Sequence, residues 1–252
     1  MSGGASDSLR DVYERRAELE YAQPPSPPDP SVDRKFERVW ELVSARLPCD
    51  AFLDAGCGDG RHLGALARSA HRPRRVVGTD IAARILETAR AAAAPLEPEL
   101  VQANLEALPF ESDAFDLILC TQVIEHLLDP QAGVRELTRV LTPGGTLVLT
   151  TDNSRPLVSR ALNAPRAAAV RLLRLRQRYK QLDFPHRDFS RAEAVELLTR
   201  AGLAVEHAET FRFALAPPLL RPALQRALNR VEKALPSHDV GDLVAVVARK
   251  PA

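Results

Sequence analysis

The sequence predicts an α/β fold in which a doubly wound, mostly parallel sheet is flanked by helices. Two observations support this prediction: strand-like apolar runs alternate with helix-like segments, and a glycine-rich turn follows the first of these runs. The last apolar run has no room for a crossover after it, so we expect the final strand to lie antiparallel against a neighbour.

The bulk composition indicates a globular protein with one large domain, or one domain with an appended cap. The 252 residues are 45% hydrophobic, and the net charge of +1 gives no general reason to expect nucleic acid. There is no signal-peptide pattern and no apolar run near the ~18 residues of a membrane span, so we expect a cytoplasmic protein. Cys49, Cys57 and Cys120 form no CxxC pair, and we expect neither a disulfide nor a metal site.

The N-terminal part predicts a separate arm, residues 1–31. Residues 9–21 have amphipathic helical spacing, and the proline-rich stretch 24–30 cannot continue a helix. The arm helix could cover a ligand site as a lid, or it could simply pack on the fold. A second helix beginning near Ser31 or Asp33 places apolar side chains on one face, with the charged Arg34, Lys35, Glu37 and Arg38 largely opposite.

The rest of the chain alternates between predicted strands and helices. In chain order they are a strand from 51, helix 61–69, strand 75–80, helix 82–93, strand 99–102, strand 115–120, helix 129–141, a turn at 143–145, strand 146–151, helix 190–201, strand 203–206, helix 219–235 and strand 243–248.

The turn after the first strand has the composition of a nucleoside-binding loop. Gly56, Gly58 and Gly60 permit positive φ and close approach of a ligand to the backbone, and Asp54 before them can hold a cationic or hydroxyl group. An ordinary strand-to-helix turn is the alternative. The spacing is G-x-G-x-G, which counts against a dinucleotide, whereas Asp80 is placed to accept hydrogen bonds from ribose hydroxyls.

Six motifs occur in a fixed order: 54–60, 78–81, 104–110, 115–118, 123–126 and 141–147. Together they resemble class I S-adenosylmethionine-dependent methyltransferases, closest to the group that includes quinone-biosynthesis O-methyltransferases. The similarity spans about residues 50–151, with a looser similarity in 186–205 and the last strand. It implies a seven-stranded sheet with the last strand antiparallel, in a domain 32–252 with a helical cap insertion at about 153–189.

The resemblance also implies S-adenosyl-L-methionine as the cofactor and assigns roles to residues. The backbone of Gly56, Cys57, Gly58 and Gly60 should face the amino acid part of the cofactor, with Asp54 near its ammonium and Gln122 near the methionine moiety. Asp80 should bind the ribose, Ile81 should contact the adenine, and Asn104 and Leu105 should lie at the adenine edge. Tyr21, together with Tyr13, should cover the cofactor from the arm. The family usually has Asp where this chain has Asn104, whose carbonyl can still accept one hydrogen bond.

Methyl transfer to a hydroxyl or a protonated amine needs a base, and histidine suits neutral pH. His126 follows the fourth strand and His186 precedes the helix at 190, so both are candidate catalytic residues. The alternative is that each fixes a loop by hydrogen bonding. Asp152 and Asn153 are further acceptor-site candidates, and His62 is expected to make a helix-start contact.

Residues 155–180 contain seven arginines and one lysine but no acid. This stretch is interpreted as a solvated lid face, as a surface for an anionic or lipid-like acceptor at a membrane, or as an RNA contact, with RNA last because few aromatics are available for stacking. We therefore expect methyl transfer to oxygen or nitrogen of a small metabolite, such as a natural product or a quinone-type compound. An RNA methyltransferase and a non-catalytic cofactor-binding module stay open, and the sequence does not indicate an oligomeric state.

Overall fold

The computed structural model describes residues 9–15, 33–94, 96–157, 161, 186–212, 221–235 and 239–252. The helices are α1 (9–15), α2 (Arg34–Ser44), α3 (Arg61–Ala67), α4 (Ala83–Ala92), α5 (Pro130–Val140), α6 (Arg191–Arg200) and α7 (Arg221–Ala234), with a short 3₁₀ turn at Ile124–His126. The strands are β1 (Ala51–Ala55), β2 (Arg75–Asp80), β3 (Glu99–Gln102), β4 (Phe115–Thr121), β5 (Leu141–Asp152), β6 (Ala204–Phe211) and β7 (Leu243–Arg249).

The seven strands form one sheet in the order β3-β2-β1-β4-β5-β7-β6. Strands β1 to β5 are parallel, whereas β7 lies antiparallel to both β5 and β6. The chain winds outward from β1 to β3, then returns to β4 beside β1 and continues to β5. This order confirms the predicted fold class, and the switch point between β1 and β4 is where such sheets bind ligands.

The core has two layers, one on each face of the sheet. Leu147 and Leu149 of β5 belong to the layer that includes α5 and α6, whereas Val148 between them belongs to the layer that includes α2, α3 and α4. Because successive side chains of a strand point to opposite faces, the continuously apolar strands are buried on both sides. The sheet is thus held rigidly, and the loops at its carboxyl edge are positioned by it.

Three helix starts follow their sequence signals closely. Asp33 and Asp129 cap α2 and α5 by accepting from the amides three residues on, and Ser190 forms a reciprocal capping box with Glu193. Strand β6 is longer than predicted, running to Phe211 instead of ending at 206. Strand β6 lies at the edge of the sheet and hydrogen-bonds to β7 alone, so it contains polar, partly exposed residues. These residues break the apolar pattern, and the sequence therefore predicted too short a strand.

The predicted turn at 143–145 lies inside β5. Leu141 pairs with Phe115 and Thr146 with Leu117, so five residues of β5 span two of β4 in a register shift. Gly144 has φ +78, and its amide donates to the carbonyl of Lys250. The glycines therefore form a bulge that still pairs with the end of the chain, which is why β5 continues through it.

Helix α2 corrects the prediction that Arg34 and Lys35 lie on an outer charged face. Arg34 is 6% exposed, and its Nε donates to a Glu232 oxygen of α7 at 2.6 Å. Lys35 lies in the cavity described below. The charged face of α2 is thus covered by later parts of the chain, which periodicity within one helix cannot show.

Several predictions fall outside the described residues. These are the arm beyond residue 15, including Tyr21, and most of the basic stretch 155–180. None of the described helices combines the length and the hydropathy that a membrane-spanning segment requires.

Candidate functional site

A cavity of about 490 Å³ lies at the carboxyl edge of the sheet, across the switch point. Loops after β1, β2, β3, β4 and β5 line it, together with α1, α2 and the segment before α6. Of the residues predicted to bind a cofactor or act as base, it brings together Gly56, Cys57, Gly58, Asp80, Ile81, Asn104, Leu105, Gln122, His126 and His186. Asp54 and Gly60 lie behind this wall instead of in it.

The glycine turn is packed tightly against neighbouring elements. Gly56, Gly58 and Gly60 have φ of 82°, 51° and 77°, in the region that favours glycine. A Cβ on Gly60 would lie 2.5 Å from the Cα of Ala89 in α4, and one on Gly56 would lie 2.3 Å from a methyl of Val123. The turn therefore requires glycine for both its conformation and its packing, and it brings main chain to the cavity wall.

Asp80 ends β2 with its carboxylate held by the backbone. One oxygen accepts from the amide of Gly58 at 3.1 Å, and the other accepts from the amide of Ala82 at 3.0 Å. Burial raises the pKa of Asp80 to about 6, while these amides oppose the rise. Asp80 is thus an ionised, rigidly oriented acceptor at neutral pH, joining the glycine turn to the start of α4.

Asp54 lies beneath the turn and is fully buried. Neither of its carboxylate oxygens has a hydrogen-bond partner among the described residues. Burial, together with the nearby carboxylates of Asp59 and Asp80, raises the pKa of Asp54 to about 8. A buried carboxyl in this condition is costly, so a cationic group reaching it would be strongly favoured.

Lys35 of α2 lines the cavity, although the sequence did not identify it as a site residue. Its ammonium donates to the side-chain oxygen of Gln122, whose amide nitrogen donates in turn to Asp152. The pKa of Lys35 is lowered to about 8, mainly by burial and secondly by repulsion from Arg61 and Arg212. The only sequence signal was a lysine beside the helix start, which resembles any surface lysine.

The hydrogen-bonded chain Lys35–Gln122–Asp152 lines the cavity. Gln122 follows β4 with φ +53, an uncommon conformation for a residue with a side chain. Its amide donates to the carbonyl of Thr150 at 2.9 Å, which holds the turn against β5. Gln122 is therefore oriented from both its backbone and its side chain.

His126 and His186 meet at the far end of the cavity. Their Nδ1 atoms are 3.5 Å apart, and their ring centroids are 5.0 Å apart. His186 Nε2 lies 2.9 Å from Asp188 Oδ1 and 3.7 Å from Asp152 Oδ2. The structure thus brings together both predicted histidines with Asp152, and adds Asp188.

Glu125 supports this end from below. It is 1% exposed, and one carboxylate oxygen accepts from Thr151 Oγ1 at 3.0 Å, while burial raises its pKa to about 7. Its carbonyl accepts from the amide of Arg187 at 2.9 Å. The 3₁₀ turn that carries His126 is thereby joined to the segment that carries His186.

The other predicted polar residues take structural positions. His62 is 3% exposed and stacks on Phe36, and burial lowers its pKa to about 3, so it stays neutral. Asn153 is buried, and its side chain donates to the carbonyl of Gly241. Asn104 Oδ1 accepts from the amide of Glu106 at 3.0 Å, and the residue lines the cavity.

The arm helix α1 closes one side of the cavity. Leu9 and Tyr13 line it, and the Tyr13 ring lies edge-on to His126 with centroids 6.1 Å apart. Glu14 accepts from the amides of Ala83 and Arg84 at 2.6 and 3.3 Å. Helix α4 has no side-chain cap of its own, so the arm supplies one.

Comparisons with known proteins agree with this architecture. Residues 53–149 match the family model described as a methyltransferase domain. A protein of Mycolicibacterium smegmatis described as a probable S-adenosylmethionine-dependent methyltransferase is 32% identical over 173 residues, covering 69% of this chain and 59% of the relative. A ubiquinone biosynthesis O-methyltransferase of Alkalilimnicola ehrlichii is 32% identical over 107 residues, covering 41% of this chain and 42% of the relative.

Among solved structures, the N-methyltransferase NodS from Bradyrhizobium japonicum, in complex with S-adenosyl-L-homocysteine, superposes with a TM-score of 0.61. The match covers 95% of this chain and 98% of NodS at 15% identity, so this likeness concerns the fold alone. The chain spans about half the length of the two curated relatives described above. The family match and the fold agree: residues 53–149 carry a methyltransferase domain, and the chain is similar to S-adenosylmethionine-dependent methyltransferases.

Proposed function

We propose that the protein transfers a methyl group from S-adenosyl-L-methionine to an oxygen or nitrogen of a small-molecule acceptor. The observation that supports this most is one continuous cavity, with a glycine turn and the amide-held carboxylate of Asp80 at one end and two histidines at the other. Its volume of about 490 Å³ lies in the range of small-molecule sites.

The cofactor end offers a partner for each polar part of S-adenosylmethionine. Asp80 would accept from the ribose hydroxyls. The carboxyl of Asp54, behind the glycine turn, would lie near the ammonium, which favours its ionised form. The methionine carboxylate would lie near Lys35 and Arg61, where cationic side chains and the N-terminus of α3 favour an anion. Ile81 and Leu105 would contact the adenine. The orphaned carboxyl of Asp54 and the amide-held Asp80 are the observations that fit this ligand.

The bound cofactor supplies a methyl group on a sulfonium, which an acceptor atom takes by in-line displacement. The protein needs no covalent nucleophile; it needs to hold the acceptor collinear with the methyl group, exclude water and receive a proton. His126 and His186 lie where a proton can be received, and Asp152 and Asp188 lie where the resulting positive charge is stabilised.

A quinol-type or other phenolic acceptor is supported by one relative, which is named for ubiquinone biosynthesis. An amine is supported equally by the carboxylates at the acceptor end. We would measure release of S-adenosylhomocysteine with a panel of phenols, hydroquinones and primary amines, using the same panel on His126→Ala as a control. Turnover in neither class would contradict a small-molecule acceptor of these two kinds.

The first test is calorimetry with S-adenosylmethionine and with S-adenosylhomocysteine. We expect both to bind, and Asp80→Ala to weaken both, whereas Asp239→Ala, which removes a carboxylate paired with Arg191 at the surface, should change neither. If neither compound bound the wild-type protein, the enzyme hypothesis would be wrong.

The basic stretch 155–180 carries the remaining alternatives, a membrane-surface acceptor and RNA. Sedimentation with anionic vesicles and with single-stranded RNA at two salt concentrations separates them, since both contacts weaken with salt but only one ligand should sediment the protein. Binding to neither would favour the solvated lid face.

A further inference from the structure

We infer that Asp152, His186 and Asp188 form a binding site for a divalent metal ion at the acceptor end, and that this ion selects a hydroxyl acceptor over an amine. The inference rests on the proposed function and deepens it, because that function leaves oxygen and nitrogen open. Three observations carry it: the register of two backbone segments, the distances between three side chains, and the negative charge around them.

The backbone brings the three residues together. Asn153, directly after β5, forms a parallel bridge with Phe189, and the amide of Phe189 donates to the carbonyl of Asp152 at 3.0 Å. Phe189 itself is 2% exposed in the core. Asp188 is therefore held beside Asp152 by main chain. His186 lies two residues earlier, and its ring lies against the Asp188 carboxylate.

The three ligand atoms have the spacing that a metal site requires. His186 Nε2 lies 2.9 Å from Asp188 Oδ1 and 3.7 Å from Asp152 Oδ2, and all three atoms lie within 4.8 Å of one another. Atoms that each lie about 2.1 Å from a common ion are about 3 to 4.2 Å apart, so small adjustments of the side chains suffice. One imidazole and two carboxylates together suit ions such as Mn²⁺ and Zn²⁺.

The charge around the three ligands favours a cation. Two carboxylates share one imidazole, and a third carboxyl, that of Glu125, is buried against Thr151, the residue before Asp152. One oxygen of Glu125 has no hydrogen-bond partner among the described residues. Lys35 is linked to Asp152 through Gln122. A doubly charged ion would offset the repulsion between the carboxylates more directly than this link does.

An ion at this position would face the methyl acceptor. Asp152 and His186 line the cavity, and three protein ligands leave coordination positions open for an acceptor. A hydroxyl bound to the ion loses its proton more readily. The proton passes to water, which reaches the site because the side chains of His186 and Asp188 are 43% and 40% exposed.

Oxygen and nitrogen acceptors differ in the electron pairs that they keep. A deprotonated hydroxyl oxygen that binds the ion through one lone pair has others left. One of these forms the bond to the methyl carbon while the carbon–sulfur bond breaks, and the electron pair of that bond stays on sulfur as a neutral thioether. A neutral amine has a single lone pair, so an amine that binds the ion cannot attack the methyl group. The ion therefore favours hydroxyl acceptors.

The first experiment titrates Mn²⁺ into the full chain without cofactor or acceptor and follows free Mn²⁺ by electron paramagnetic resonance. We expect one ion per chain, displaced by Zn²⁺. Asp188→Ala should weaken Mn²⁺ binding at least about tenfold, and Asp188→Asn, which keeps an oxygen without its charge, should weaken it less. Asp239→Ala, which removes a surface carboxylate, should bind Mn²⁺ as the wild type does.

The alternative is an imidazolium of His186 held between the two carboxylates. Absence of Mn²⁺ and Zn²⁺ binding up to millimolar concentration, or equal Mn²⁺ binding by Asp188→Ala and the wild type, would favour this alternative and overturn the inference.

The second experiment compares acceptors, with the protein dialysed against EDTA and with Mn²⁺ restored. Turnover of the hydroxyl acceptors should fall at least about tenfold without the ion and return with it, while the Kd for S-adenosylhomocysteine stays within about twofold. Asp188→Ala should show the low turnover in both conditions. Hydroxyl turnover that is indifferent to EDTA, or amine turnover that needs Mn²⁺ equally, would overturn the selection. If the wild type bound no cofactor, the proposed function would be wrong, whereas the Mn²⁺ titration would still test the metal site.

Discussion

The two ends of the cavity are built from different parts of the polypeptide. The cofactor end is largely main chain, with the glycine turn after β1 and the start of α4 joined by Asp80 over about two dozen residues of sequence. The acceptor end is made of side chains, and these come from the ends of β4 and β5, the 3₁₀ turn at Ile124–His126 and the segment before α6.

The difference explains why the cofactor end can be predicted from a short stretch of sequence, whereas the acceptor end cannot. A backbone turn leaves glycines at fixed spacing, because φ and close packing forbid other residues. A side-chain cluster leaves only single lysines, glutamines and histidines, whose meeting depends on the whole sheet being assembled.

The largest effect should follow Gly60→Ala, which tests whether the cofactor end depends on main-chain packing. The new Cβ would meet the backbone of Ala89 at 2.5 Å, whereas Gly144→Ala, at a similar φ, would meet nothing within 4 Å. We expect a loss in the free energy of unfolding of about 3 kcal/mol or more for Gly60 and about 1 kcal/mol for Gly144, measured by urea denaturation. Equal losses would show that conformation alone matters there.

Asp80→Ala should have the next largest effect, because it removes the carboxylate that joins the glycine turn to the start of α4 and that would accept from the ribose hydroxyls. We expect affinity for S-adenosylhomocysteine to fall about a hundredfold by calorimetry, the scale of two hydrogen bonds to a charged group. Since the pKa of Asp80 is about 6, wild-type affinity should also fall as pH drops through 6 and the carboxylate is protonated. A flat pH profile in the wild type would contradict this role.

Lys35→Met tests the border between the two ends. Removing the ammonium should weaken cofactor binding about tenfold, because the methionine carboxylate of the cofactor loses a cationic partner. Lys233→Met, which removes a surface partner of Glu37, should leave cofactor binding unchanged. The pKa of Lys35 is about 8, so the positive charge is present at pH 7 and is lost as pH rises through 8. The wild type should lose affinity over that range, and the variant should not.

Ser190→Ala should have the smallest effect on stability, and its effect on activity should be limited to the acceptor end. It removes the hydroxyl that accepts from the amide of Glu193 at 3.3 Å, at a cost of about 1 kcal/mol in the free energy of unfolding. Because Asp188 lies two residues earlier, kcat should fall more than cofactor affinity. Equal losses in both would show that the two ends are mechanically coupled.

The sequence predicted the sheet and most element boundaries, because each has a periodic or spaced local signal. Most of the residues that it proposed for the cofactor line the cavity, whereas Asp54 and Gly60 do not, and their roles stay predictions. It placed His126 and His186 in the site but not the contact between them, and it missed Lys35. Helix periodicity assigned Lys35 and Arg34 to an outer face, whereas Arg34 is buried against Glu232 of α7, some 198 residues away in sequence. Contacts at that separation have no signal in either segment alone.

The carboxylate that Glu14 lends to helix α4 links the arm to the timing of ligand exchange. If the arm swings aside, two amides at the start of α4 lose their acceptors, next to Asp80 and Ile81. Moving α1 away then costs the free energy of these two hydrogen bonds, which do not involve the ligand. The residence time of the ligand can therefore change although its own contacts stay the same. Glu14→Gln should therefore raise the dissociation rate of the demethylated cofactor in stopped-flow measurements, while the residues that contact the cofactor stay unchanged.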